Sequence, residues 1–270
     1  MFVKGEHERV FAYSAHTVCD KNNFILHTEV TSGNVHDSLV FDKLFNNITS
    51  KYKIDNIVAD AGYKTPWICK QCLDNNIMPI LPYKRTYSRK GMLNKNAFVY
   101  DEYYDCYICP NNEILSYSTT NKEGYREYKS KGITCGICPN LKECTSNKQN
   151  VKLITRHIWN EYMEKAEDIR HTEYGRELYK KRSETIERVF GDAKEKHSMR
   201  YTQVRGIERV KSTILLTFAC MNLKKLAKWK RMEREKYSKK YNLSNIIQKS
   251  NTKIQNLYQI LYKYKKVIFA

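Results

Sequence analysis

The sequence predicts an α/β protein, with a mixed sheet and helices on its faces. Three observations carry this. The first third alternates β-rich runs with helical stretches in the order strand, strand, helix, strand, helix, strand. Past Lys84 the pattern breaks, and the stretch that follows holds five of the nine cysteines without a crossover helix. From Arg156 onward the chain is charged and has helical periodicity.

Each element has its own local signal. The runs "RVFAYSAHTVC" and "FILHTEVT" are rich in β-branched and aromatic residues, and "DKNN" between them supplies hairpin turn chemistry. Leu39, Val40, Leu44 and Phe45 recur at helical spacing. "IDNIVAD" and "IMPILP" are short apolar strands flanking "PWICKQCLDNN", a helix with Thr65 as cap, Pro66 at its first position and Asn75-Asn76 at its end. An antiparallel pair thus leads into parallel crossovers. Residues 85–155 read as an insertion into this first part, residues 1–84. Residues 156–229 return as the helices of the same domain, and residues 230–270 form a basic, Tyr-rich helical tail. The apolar run at 214–221 reads as a buried helix, too short for the roughly 20 residues of a membrane span.

Charge and cysteine usage narrow the function classes. The 48 Lys+Arg against 29 Asp+Glu give a net charge of +19, which favours a polyanionic partner, above all nucleic acid. The N-terminal "MFVKGEHERVF" lacks the apolar core of a secretion signal, so a cytoplasmic, nucleoid-associated protein with no membrane partner is expected. Nine cysteines then argue for thiols or metal rather than disulfides. Cys106-x2-Cys109 and Cys135-x2-Cys138 have the spacing of paired ligands of a structural Zn²⁺, with Cys144 as a possible substitute. Cys69-x2-Cys72, on the helix after a strand, reads as core packing rather than a redox pair. His16 and His27 read as structural hydrogen-bonders.

Two acidic positions stand out. Asp60 ends an apolar strand just before Gly62 and a helix start, where open α/β sheets place ligands, although a carboxylate there also serves to cap the turn. In "RSETIERVFGDAKEKHSMRY", Ile186, Phe190 and Ala193 mark an apolar stripe, with Glu187 and Lys194 along its border. Asp60 and Glu187 could converge on Mg²⁺ as phosphoryl-transfer sites require, or the helix could be a surface helix with pairs such as Glu184–Arg188.

Taken together, "FAYSAHTVCDKNN", "EVTSGNVHDS", "VADAGYKTP", "LPYKR", the cysteine segment, "RSETIERVFGDAKEKHSMRYTQVRG" and "TFACMNLKKLAKW" resemble, in order, the DDE-type transposases of bacterial insertion sequences. The resemblance implies a ribonuclease H-like core, with Asp60 as the second catalytic Asp and Glu187 as the catalytic Glu. It implies Mg²⁺ or Mn²⁺ held by these two and a further Asp, and DNA as partner, both the element's ends and its target, with self-association on DNA. Lys194, Arg188 and Arg205 would neutralise phosphates, and Arg182 belongs to the same DNA-binding set. The family signature Tyr-x2-Arg-x3-Glu-x6-Lys is matched at Tyr179, Glu187 and Lys194, but four residues separate Arg182 from Glu187. The family's first catalytic Asp precedes the "FAYSAHT" strand, and Asp20 and Asp37 read as turn and helix-cap residues. The chain is therefore expected to be the C-terminal part of a transposase, catalytically incomplete by itself. The alternative is a non-catalytic, zinc-containing DNA-binding remnant or regulator.

Overall fold

A computed structural model describes residues 12–86, 89–240 and 250–256. Strands β1 (Tyr13–Cys19) and β2 (Ile25–Ser32) form the expected antiparallel hairpin. Its turn is built by Asp20, whose Oδ1 accepts from the backbone N–H of Asn22 (2.9 Å) and Phe24 (2.8 Å), while Asn23 takes a left-handed φ of 67°. Helix α1 (Asp37–Thr49) buries Val40, Phe41, Leu44, Phe45 and Ile48 and turns Leu39 outward. Strand β3 (Asn56–Val58), a 3-10 turn (Ala61–Tyr63), α2 (Pro66–Asp74) and β4 (Met78–Ile80) make the parallel crossover.

The sheet differs from the expected continuous mixed sheet. Among the described residues β1–β2 and β3–β4 are separate two-stranded sheets. Side-chain packing joins them instead of a backbone ladder: α1 lies on the hairpin and on the turn at Ala61–Tyr63, and Phe41, Phe45, Ile68, Cys72 and Ile77 pack as one cluster with Ile57 and Tyr63. Cys69 and Cys72 are fully buried, and burial pushes their thiols up to about 11 and about 12. A thiol that far from ionisation is a packing residue, not a redox nucleophile.

The cysteine-rich stretch has an architecture that its sequence did not announce. Strands β5 (Val99–Asp101), β6 (Cys106–Ile108), β7 (Ile114–Thr120), β8 (Tyr125–Lys129) and β9 (Leu153–His157) form a five-stranded antiparallel sheet in chain order. Between β8 and β9 lie two short helices, α3 (Gly132–Gly136) and α4 (Leu141–Cys144). Phe98, Tyr107, Leu115, Tyr128 and Ile154 form its own core. Asp105 pins that core by accepting from the hydroxyls of Tyr128 (2.6 Å) and Tyr100 (2.8 Å).

Helices α5 (Asn160–His171), α6 (Glu173–Glu184), α7 (Ile186–Lys196) and α8 (Ile207–Lys240) return to the first part. The α5–α6 corner needs a residue without a side chain, because a Cβ on Gly175 would stand 2.1 Å from the Ile169 carbonyl oxygen. Helix α5 is tied to α2 and its flank by a Lys64–Glu167 ion pair (2.5 Å) and a Trp67–Trp159 contact (5.5 Å between rings). It is tied to β9 by the two-pronged Arg156–Glu164 pair (2.6 and 2.9 Å). Asn222 docks α8 on the hairpin: its side chain accepts from the Ile25 N–H (2.9 Å) and donates to the Ile25 carbonyl (2.8 Å).

Residues 214–221 are helical as expected but not buried all round. Phe218 is buried against the Phe190 side, whereas Leu215, Leu216 and Cys220 are exposed, because α8 presents only one edge to the hairpin and α7. The helix continues through residue 230 to Lys240, and most of the remaining tail lies outside the described residues. Among the described residues no helix is long and apolar enough to cross a membrane.

Candidate active site

Asp60 follows β3 and opens the 3-10 turn in an extended conformation (φ −80°, ψ 170°). One carboxylate oxygen caps that turn by accepting from the Ala61 N–H at 2.7 Å. The other reaches outward to Nη2 of Arg182, at 3.2 Å. Asp60 therefore does both things its position allows. The turn must be tight here: a Cβ on Gly62 would stand 2.6 Å from Oδ2 of Asp37, so the missing side chain lets the start of α1 close against the turn.

Arg182 sits on the last turn of α6, and its Nη1 lies 3.3 Å from Oε1 of Glu187 at the start of α7. One guanidinium thus bridges Asp60 and Glu187. The side chain of Arg182 is 19% exposed, whereas those of Asp60 and Glu187 are 55% and 53% exposed. The cation is held from below and the two acids stand at the surface above it.

The helix break explains the departure in spacing noted above. On an unbroken helix, residues five apart lie roughly 140° apart around the axis, so Arg182 and Glu187 would point away from each other. The break falls at Thr185 (φ −110°, ψ −98°), between α6 and α7. It absorbs the extra residue and turns Glu187 back toward Arg182. The same break removes the expected Glu184–Arg188 helical pair, because Glu184 ends one helix and Arg188 belongs to the next.

Behind the carboxylates stands a polar layer in which His16 is the structural hydrogen-bonder expected of it, with partners the sequence does not name. Nδ1 of His16 lies 3.4 Å from the Tyr63 hydroxyl and 3.4 Å from Asp37, and its Nε2 is 2.9 Å from Oγ1 of Thr31. Burial raises the Tyr63 hydroxyl above its ordinary range, and the charges of Asp37 and then Asp60 add to the rise. Tyr63 is therefore a neutral donor or acceptor fixed beside the site. Alternation along β1 marks His16 as inward-facing, but nothing in the sequence says what it faces. Lys194, Arg188 and Arg205 are all exposed, available to a polyanion but not gathered around the acids.

Among the described residues, no three His, Cys, Asp or Glu side chains are gathered to hold a metal ion. Two carboxylates with a shared cation suit a Mg²⁺ site of the open kind, because that ion takes one or two carboxylates and keeps water for the rest. A positive charge between them is already accommodated by Arg182.

Two carboxylates brought together at a strand end by a later helix, in a strongly basic α/β protein, are an arrangement compatible with phosphoryl-transfer chemistry. Residues 108–227 match the family model described as "Transposase DDE domain". The matched stretch is a little under half of the chain; it contains Arg182 and Glu187, and Asp60 precedes it. Domains of this family use divalent metal ions such as Mg²⁺ and act on DNA. No curated protein and no solved structure matches the chain.

Proposed function

We propose that the chain acts as an insertion-sequence transposase, in which Asp60 and Glu187 are two of the metal-holding carboxylates for DNA strand cleavage and transfer. The observation that carries this is the single guanidinium shared by the two acids, 3.2 Å from one and 3.3 Å from the other. Residues 127 positions apart converge on one cation, as a metal pair requires and a turn cap does not.

Mg²⁺ or Mn²⁺ held by Asp60 and Glu187 would polarise a DNA phosphate and ease deprotonation of an attacking hydroxyl. The remaining work falls to the chain's own residues. Arg182, once displaced from the acids, presents a planar fork of donors suited to a phosphate oxygen pair. Lys194, Arg188 and Arg205 hold the DNA backbone by charge and carry no sequence information. The Tyr63–His16–Asp37 layer keeps the Asp60 turn in place. A structural Zn²⁺ in the cysteine-rich unit belongs to the same reading, as a part of the fold and not of the chemistry. Self-association on DNA, with contacts to the element's ends and to target DNA, completes it.

The test measures Mn²⁺ binding and DNA binding by the purified chain and by Asp60→Asn and Glu187→Gln. Both substitutions should remove most Mn²⁺ binding and leave DNA binding intact, with an affinity that falls steeply with salt. Mn²⁺ binding indifferent to both would overturn the catalytic assignment and leave a non-catalytic DNA-binding protein. Metal-dependent cleavage by the chain alone, lost in Glu187→Gln, would show that another of its carboxylates completes the site. Asp37, packed against Gly62, would then be the carboxylate to replace.

A further inference from the structure

The spacing of the cysteines offers two CxxC pairs, but the fold separates the members of the first. Cys106 lies inside β6, paired with Asp101 on one side and Ser116 on the other. Side chains alternate along a strand, so the neighbouring Tyr107 enters the core while Cys106 takes the opposite face. There it borders an open depression with Asp101, Asp105 and Tyr117. Cys109 lies past the strand end, in the turn to β7, and lines a different cavity. Because the strand ends at Ile108, the Cys106-x2-Cys109 spacing does not by itself bring the two sulfurs together.

The cavity that Cys109 lines is shared by Cys135, Cys138 and Cys144. Its volume of about 30 Å³ is room for one small occupant. Each wall is a local turn that holds its sulfur. At Cys109 the backbone N–H bonds to the Glu113 carbonyl (2.9 Å), and the Glu113 N–H points back at the Cys109 sulfur (3.4 Å). Cys135 and Cys138 are joined by a Cys138 N–H to Cys135 carbonyl bond of 3.1 Å, and Cys144 closes α4. Lys152 also lines the cavity, and its ammonium donates to the Cys144 carbonyl at 2.6 Å.

We infer that Cys109, Cys135, Cys138 and Cys144 are the four ligands of one structural Zn²⁺, with Cys106 outside the set. The sulfurs are not drawn together on a point; what the fold supplies is four backbone positions around one cavity. Rotation about the Cα–Cβ bonds is the movement that would bring the sulfurs together. Four thiolates give the site a net charge of −2 around Zn²⁺, and Lys152 provides a cation beside it. The segment also has need of a metal. Between β8 and β9 it consists of a five-residue and a four-residue helix, with Ile133 and Ile137 93% and 89% exposed, so apolar burial contributes little to holding it. Zinc binding would supply that folding free energy and clamp the β6–β7 turn to the α3–α4 loop.

This inference rests on the zinc part of the reading above and is independent of its catalytic part. The test is metal content by mass spectrometry of the full chain purified under reducing conditions, together with Cys106→Ser and Cys144→Ser. About one Zn per chain is expected in the wild type and in Cys106→Ser, and under a third of that in Cys144→Ser. Replacement by Co²⁺ in the wild type and Cys106→Ser should give the same tetrathiolate absorption bands. A zinc-free, folded wild-type chain would overturn the zinc reading itself. Zinc present in the wild type but lost from Cys106→Ser, or fully retained by a folded Cys144→Ser, would overturn the ligand set alone. Should Cys144→Ser fail to fold, the Cys106→Ser result still decides.

Discussion

Replacing Arg182 with Gln is the most informative single change. In the free protein its guanidinium lies 3.2 Å from Asp60 and 3.3 Å from Glu187, so a divalent ion entering between those acids has to displace it. Both acids are more than half exposed, so each ion pair is worth only the roughly 0.2–1 kcal/mol of a screened surface pair. Two pairs give about 0.4–2 kcal/mol, which at about 1.4 kcal/mol per tenfold corresponds to roughly 2- to 30-fold in affinity. Arg182→Gln should therefore tighten Mn²⁺ binding in the absence of DNA by a factor in that range. Arg182→Lys keeps the charge but cannot span both acids, and should fall in between. The assay is titration followed by the electron paramagnetic resonance of free Mn²⁺, with thermal melts to confirm that each variant is folded. If Arg182→Gln binds Mn²⁺ equally or more weakly while remaining folded, the picture of Arg182 as a resident cation is wrong. The same substitution should weaken DNA binding, because the fork meant for a phosphate is gone.

Other expectations follow from the packing. Asp105→Ala leaves the hydroxyl of Tyr128, a fully buried side chain, without its acceptor, which should cost about 1–3 kcal/mol in urea unfolding. Asp105→Asn should cost less, since an amide oxygen still accepts and Asn tolerates the left-handed φ of 45°. Arg156 holds Glu164 below its ordinary value of 4.5, against the upward push of burial. That stabilising contribution is fully present above about pH 4.5 and is lost as pH falls through the lower folded-state value, so Glu164→Gln should flatten the acid limb of a stability–pH profile. Alkylation near neutral pH should modify exposed Cys220 first and spare Cys69 and Cys72, whose buried thiols are pushed up to about 11 and about 12. Equal labelling of all three in the folded protein would contradict the placement of α2.

Much of the first part was legible because its signals are local. The Asx turn at Asp20, the Thr65-Pro66 start of α2 and the Asn75-Asn76 end are each set by a few adjacent residues, and they appear where the sequence puts them. Non-local features were harder to read. The five-stranded sheet has two strands of only three residues, interrupted by aromatic turns, so no alternation long enough to register develops. The role of Arg182 depended on a break at Thr185 that ordinary helix-forming residues conceal, which is why the extra residue looked like a departure and not a corner. A CxxC spacing says how far apart two sulfurs lie along the chain, and only the strand says which faces they take. The apolar run in α8 was read as buried because composition says nothing about how many neighbours a helix has.

If Asp60 and Glu187 hold one divalent ion, it takes the place that Arg182 occupies in the free protein. The direct measurement is anomalous diffraction from crystals of the chain equilibrated with Mn²⁺. An anomalous peak between the two carboxylates is expected, with the Arg182 guanidinium moved off them. A guanidinium still bridging Asp60 and Glu187 at saturating Mn²⁺, with the ion bound elsewhere, would contradict it.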